Sequence, residues 1–409
     1  MPTPPGEIDV TETASLARMP PLEALGVLKG NFDALVSRMR RVSAPPTGLD
    51  RVPLTVKTGE AAKLLGRSAS YIREIANELD LGREPGDKNE FRSFTPADMV
   101  RMRHEKEIGP LPPKGTAPFV LVVFNQKGGV GKTTTSSNLV QDMASRGYRV
   151  LIVDMDPQAS MTSSWLVDDR AGGLAGQAGL DIDVNDTAAP IMIGEKGSFD
   201  SVIRSTHWPN VDIVPSHPDL SEGGLQMVQL LADGHQDFWV SFRDACKSLS
   251  SDQYDVVVVD TAPSLWLDAV EIALAADGLL IPVPARNLDI ESARSFIHTI
   301  EKWLTQLNDH YTVGMKWMRF IMTQRLANST SESRNEALLK AHLGPLLMTG
   351  RVPRMEALER STGASPSIYE RPPRLPKSAG RSAAEARAGL REVHDEIIEL
   401  IAESWKSRE

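Results

Sequence analysis

Six short apolar runs recur along the last three quarters of the chain, at residues 119–124, 149–153, 211–214, 255–259, 278–283 and 317–322. Runs of this length read as strands buried on both faces. Between them the apolar positions fall three and four apart, which predicts helices at 133–146, 237–249, 266–276 and 289–307, with another at 332–343. Strands alternating with helices predict an α/β domain over 119–409, built on a doubly wound, mostly parallel sheet. Residues 171–190, rich in Gly, Ala and Asp, read as a surface loop, and the Pro- and Arg-rich stretch 363–382 as an ordered loop at most. A final helix is predicted over 382–405, with Ala386, Leu390, Val393, Ile397, Leu400 and Ile401 as its apolar side.

The first 118 residues follow a different rhythm. Residues 1–20 are rich in Pro and Thr and read as a loose arm. Over 22–41, Leu22, Leu25, Leu28, Phe32, Leu35 and Met39 make one helical stripe, which a lone helix cannot bury and which therefore packs on its own domain or on a partner chain. Domain bounds are thus an arm and helix at 1–48, a small helical domain at 49–108 and a Pro/Gly linker at 109–118. Within the small domain, Gly59 to Leu65 and Ala69 to Leu79 read as two short helices joined by a turn at Gly66-Arg67-Ser68, with Ser68 as cap. A polar stretch from Gly82 to Phe94 suits a β wing, and Thr95-Pro96 opens a third helix.

Composition narrows the classes. The 409 residues are 41% hydrophobic and 24% charged, as in ordinary globular proteins. No apolar run approaches a membrane span and no secretory leader opens the chain, so a cytoplasmic protein is expected. The single Cys246 leaves no disulfide framework and no cysteine set for an iron–sulfur cluster. Although the net charge is −9, residues 38–73 carry eight basic side chains against two acidic ones. Such a local patch is compatible with DNA. On the two short helices and the wing, Ser68, Ser70, Tyr71, Arg73 and Arg92 are the candidates for DNA contact. The alternative is a small packing domain with a solvated charged face.

The densest chemistry lies at Asn125-Gln126-Lys127-Gly128-Gly129-Val130-Gly131-Lys132-Thr133-Thr134-Thr135, directly after an apolar strand and directly before a helix. Glycines let a backbone curl so that successive N–H groups meet one anion at a helix N-terminus. Lys132 adds positive charge near the β and γ phosphates, and the Thr133 hydroxyl suits magnesium. The common phosphate loop has a glycine where Gln126 stands. Two later segments end strands with acids: Asp154-Met155-Asp156-Pro157-Gln158, and Asp260 closing the run of four valines 256–259. Ligands bind at that edge of such sheets.

K-G-G-x-G-K-T-T is the deviant Walker A signature, and the chain here resembles the ParA/MinD class of ATPases. The small domain resembles the winged helix-turn-helix of MerR-type regulators, which plasmid ParA proteins carry in front of their ATPase. The resemblance implies ATP/ADP and Mg2+ as ligands, bound by Gly128, Gly129, Val130, Gly131, Lys132, Thr133 and Thr134. It gives Asp156 the attacking water, Asp260 and Thr133 the metal, Asp154 its support, and Lys127 the phosphates of a second subunit. It places adenine on the segments after the later strands, where Pro284, Thr323 and Gln324 are candidates. It further implies a homodimer, a ParB-like partner, non-specific DNA binding at basic residues such as Arg351 and Arg354, and repression of its own operon. A helix at 22–41 supports dimerisation in the longer members. Two other readings stand beside partition: a repressor that senses nucleotide, and a MinD-like positioning ATPase. Membrane attachment, as in MinD, conflicts with the acids Glu392, Asp395, Glu396, Glu399 and Glu403 of the last helix.

Overall fold

A computed structural model describes residues 25, 27, 28, 51–82, 92–166, 182–264, 267–326, 329–359, 367–371 and 377–406. The chain divides into two units, residues 1–47 and 48–409. In the first unit, Leu25, Val27 and Leu28 are helical and exposed. The rest of the expected arm and helix lies outside the described residues, as does the loop of the expected wing at 83–91.

The second unit opens with β1 (Val52–Pro53), β2 (Val56–Lys57), α1 (Thr58–Leu64), α2 (Ala69–Glu78), β3 (Ser93–Phe94) and α3 (Pro96–Glu105). Gly66 takes the left-handed conformation that ends α1, and the Ser68 hydroxyl accepts from the Tyr71 N–H to start α2. α3 starts with a capping box between Thr95 and Asp98 and has Pro96 in its first turn. Ala61, Ile72, Ile75, Phe94, Met99 and Met102 form the core of this module.

The module is fixed to the large domain through α3. Gly147, just past the phosphate-loop helix, has φ +85°, and a Cβ there would lie 2.4 Å from the Met99 carbonyl oxygen. The buried Arg103 side chain donates to the carbonyls of Arg146 and Ile108 and lies 4.1 Å over the Tyr148 ring. Its bond to Ile108 and a further one to Pro110 hold the start of the linker against the module.

The large domain contains β4 (Phe119–Val123), α4 (Lys132–Ser145), β5 (Val150–Met155), α5 (Ser160–Trp165), α6 (Ala189–Met192), β6 (Arg204–Ser205), β7 (Val211–Val214), α7 (Leu220–Ala232), α8 (Ser241–Ser248), β8 (Val256–Thr261), α9 (Leu267–Ala275) and β9 (Gly278–Pro284). It continues with α10 (Asn287–Asn308), β10 (Trp317–Arg325), α11 (Thr330–Leu343), β11 (Leu347–Pro353), α12 (Glu356–Glu359), β12 (Glu370–Arg371) and α13 (Lys377–Lys406). Eight strands form the sheet in the order β11-β10-β9-β4-β8-β5-β7-β6. All pairs are parallel except β6 with β7, which confirms the doubly wound α/β expectation.

Alternate residues of β4 face opposite cores. Phe119, Leu121 and Val123 pack with α4 and α13, whereas Val120 and Val122, with Phe124 just after the strand, pack with α8, α9 and α10. The apolar side of α13 is spent in this core, with Ala386, Leu390, Val393, Ile397 and Ile401 all buried. Several elements were not part of the sequence reading. The stretch 220–232 is a helix despite Gly223-Gly224, and the edge strands β6 and β11 were not expected. The predicted loop 363–382 supplies β12, which pairs antiparallel with β1.

Candidate functional site

The phosphate loop emerges from β4 at the carboxyl edge of the sheet. Gly129 and Gly131 have φ of +70° and +93°, so both need the left-handed conformation that glycine adopts without steric cost. Side chains pin the loop at several points. Asn125 donates to the Pro282 carbonyl and accepts from the Lys127 N–H. The Gln126 amide donates to the Ser292 carbonyl at 2.9 Å, so the residue that replaces the usual glycine ties the loop to α10. Thr323 Oγ1 donates to the Val130 carbonyl and Gln324 Nε2 to the Gly129 carbonyl, each at 2.6 Å. These two adenine candidates therefore brace the loop itself, with Pro284 beside Thr323 in register. Gln324 does so from a positive φ of 53°.

Strand register brings the acids together. Asp154 on β5 and Asp260 on β8 are direct partners across adjacent parallel strands, and both are fully buried. Asp260 accepts from Thr133 Oγ1 at 2.7 Å and from Ser136 Oγ at 2.9 Å. Burial pushes its carboxyl up, and these two donors hold it at about 6. Asp154 is pushed to about 7 by burial and by the charge of Asp260, against donors from Thr162. Burial lowers the Lys132 ammonium, opposed by Asp260 and Asp156, and its Nζ donates to the Lys127 carbonyl at 3.2 Å. Asp156 is half-buried at the start of the turn after β5, where its main-chain carbonyl accepts from Ser216 Oγ. Thr134 lies in the first turn of α4.

Two buried acids close to hydroxyls, beside a lysine and a glycine loop, would suit a cation held next to phosphate. Among the described residues no cluster of three or more acidic, His or Cys side chains could cage a metal. Magnesium fits that arrangement, because it takes one or two protein ligands and fills its shell with water and phosphate oxygens.

Lys127 points elsewhere. Its Nζ lies 2.7 Å from Asp289 Oδ1 on α10, and Arg286 holds the other oxygen at 2.6 Å. Within one chain the signature lysine is parked on an internal carboxylate.

The DNA candidates are placed unequally. Ser68, Ser70, Tyr71 and Arg73 are exposed at the start of α2. Arg92 is not presented to solvent: it is 8% exposed and donates to Asn77 of α2, so it fastens the module internally. Arg351 is exposed but paired with Glu336, and Arg354 is exposed after β11. Sequence reading missed Ser136, Thr162, Ser216 and Asp289. Ser136 had a readable signal, since it lies three residues after Thr133 on the same helix face. The other three meet the site only through tertiary contacts.

Residues 119–313 match a family described as an AAA domain. The chain is 27% identical over 398 residues to "Putative replication protein A" of Rhizobium rhizogenes, covering 93% of this chain and 95% of that one. It is 33% identical over 264 residues to "Protein SopA" of Escherichia coli strain K12, covering 62% and 64%. A solved structure of a partition protein superposes over 93% of this chain and 98% of its own, with a TM-score of 0.62 at 20% identity, so the fold is shared.

Proposed function

Kinship with the ParA-type partition ATPases is the premise from which we propose that this chain is an ATP-dependent DNA-partition ATPase. The observation that carries the proposal is the buried pair Asp154 and Asp260, in register at the carboxyl ends of adjacent strands, with Asp260 accepting from Thr133 and Ser136. ATP sits with its phosphates on the N–H groups of residues 128–134, and Lys132 answers the β and γ charge. Thr133 and Asp260 would hold Mg2+, with Asp154 in support; the ion would supply positive charge beside the phosphates. Asp156 orients the attacking water. Pro284, Thr323 and Gln324, at the ends of adjacent strands, flank the base.

Lys127 leaves Asp289 and reaches the phosphates of a second subunit, so that ATP joins a homodimer and weak hydrolysis dissolves it. A ParB-like partner and DNA stimulate turnover. The dimer binds DNA non-specifically, with Arg351 and Arg354 as candidates, and associates with the nucleoid in the cytoplasm. Ser68, Ser70, Tyr71 and Arg73 read the operator in a winged helix-turn-helix, which makes the protein an autorepressor. The contact of α3 with the end of α4 supports a second reading, a nucleotide-sensing repressor without a partition role. A MinD-like role is disfavoured because the apolar side of α13 is buried in the core.

The test is Lys127→Gln. It should abolish ATP-dependent dimerisation and turnover while nucleotide binding persists. Turnover at the parental rate would sink the cross-subunit role. Hydrolysis measured with DNA and partner separates an ATPase from a sensor.

A further inference from the structure

The six-residue helix α5 stands between the acids of the site and the stem of the N-terminal module. A helix this short does not hold itself together, so the polar groups at its ends must be satisfied from outside. At its start, Thr162 donates to Asp154 Oδ2 twice, through N–H at 2.8 Å and through Oγ1 at 2.7 Å. Ser216 N–H donates to that same Thr162 hydroxyl at 2.8 Å, while Ser216 Oγ donates to the Asp156 carbonyl at 2.8 Å. Both site acids are thereby tied to one turn of helix.

The other end of α5 is held just as specifically. The Ser164 carbonyl accepts from Arg51 Nη1, and the Trp165 carbonyl accepts from His207 Nδ1 at 3.0 Å. Arg51 and His207 then converge on one carboxylate, Glu370, whose side chain is fully buried. Trp208 Nε1 and the Ser367 N–H donate to it as well. Arg51 is the residue directly before β1, from which the chain runs into β2 and α1, and β1 pairs with β12, which contains Glu370. Hydrogen bonds at the two ends of α5, joined by the backbone of that helix, therefore connect Asp154 to the stem of the module.

We propose that Arg51 is a positioning residue for the nucleotide site, and that the Arg51–Glu370–His207 cluster couples that site to the N-terminal module through α5. A change in how Asp154 is used when nucleotide binds displaces the first turn of α5, and the rigid turn passes that displacement to the carbonyls that Arg51 and His207 hold. Coupling of this kind is reciprocal, so the module also biases the site. Buried hydrogen-bonded clusters suit the task because they have few alternative arrangements.

The coupling rests on the ATPase reading, and the experiment separates the two. Hydrogen exchange at residues 52–82 is measured in the full chain with and without magnesium and a non-hydrolysable ATP analogue, for the parent, Arg51→Met and Glu370→Gln. Circular dichroism checks that each variant is folded. In the parent, exchange at 52–82 should change on nucleotide binding. In both variants that change should vanish while analogue affinity stays within about threefold, and kcat should fall about tenfold with KM for ATP little altered. A parent that binds nucleotide without any change at 52–82 overturns the coupling, as does a folded Arg51→Met variant that keeps the full change. A parent that binds no nucleotide overturns the ATPase reading, and the coupling falls with it.

Discussion

The pairing of Lys127 with Asp289 sets up a competition that can be measured. A dimer that uses Lys127 across its interface must first remove it from Asp289, where Nζ and Oδ1 are 2.7 Å apart. The lysine side chain is 34% exposed and the aspartate 4%, so the pair lies between a solvated surface bridge and a buried one. Exposed pairs contribute up to about 1 kcal/mol, and breaking buried ones costs about 3–5 kcal/mol. Screening at the lysine end and the retained Arg286 partner place the release cost at about 1–2 kcal/mol per subunit. Two lysines move per dimer, so Asp289→Ala should tighten ATP-dependent dimerisation by about 2–4 kcal/mol, tens- to several-hundred-fold in the dimer dissociation constant. Sedimentation equilibrium with a non-hydrolysable ATP analogue reads this directly. An unchanged or weaker dimer would show that Asp289 does not compete for the lysine. Adding Lys127→Gln should cancel the gain, because no lysine then remains to be released.

Four further outcomes follow from particular contacts. Ser136→Ala removes one of two hydroxyl donors to buried Asp260 and should weaken the magnesium dependence of nucleotide binding by about 1.5–3 kcal/mol; an unaltered magnesium titration would refute its role. Gly147→Ala combines a left-handed φ with a Cβ 2.4 Å from the Met99 carbonyl oxygen, so it should lower the melting temperature and raise proteolysis of the N-terminal module, at a cost of about 2 kcal/mol or more. Burial alone would raise the Glu370 carboxyl, but the His207 hydrogen bond and the Arg51 charge hold it at about 2. A depressed acid contributes stability above its unfolded value near 4.5 and loses it as pH falls toward 2. That contribution is about 3 kcal/mol, and Glu370→Gln should flatten the acid limb of a denaturation series. Glu271 behaves oppositely. Burial lifts its carboxyl well above the usual range, Phe242 N–H bonds one oxygen, and the other has no partner among the described residues. Stability should therefore decline as pH rises above about 4.5 toward the folded value, and Glu271→Gln should remove that decline; equal slopes in urea series at pH 5.5 and 8.5 for the two proteins would count against this.

Much of the site was legible because its signals are local. Strand, glycine loop and helix start are contiguous in 119–146, and the run of four valines before Asp260 declares both the strand and the acid at its end. Other parts were hidden by long-range effects. Gly223-Gly224 argues against a helix on propensity, yet 220–232 is helical, with Gly223 buried where a Cβ would lie 3.7 Å from that of Ala189. Arg92 reads as a wing contact by charge and position, whereas its burial against Asn77 depends on how the module closes. Thr323 and Gln324 read as residues for a base, and their first contacts are to the carbonyls of the loop.

The sequence by itself determined the α/β alternation, the phosphate loop and the chemical identity of the acids, because each depends on residues close in the chain. Only the tertiary structure decided that Asp154 and Asp260 are neighbours. Their strands β5 and β8 lie about a hundred residues apart, and the crossover order that pairs them depends on how helices cover the two faces of the sheet. It likewise decided that Lys127 meets Asp289 and that Arg51 meets α5. Such contacts form wherever the folded chain brings charges together, and sequence separation carries no record of that distance.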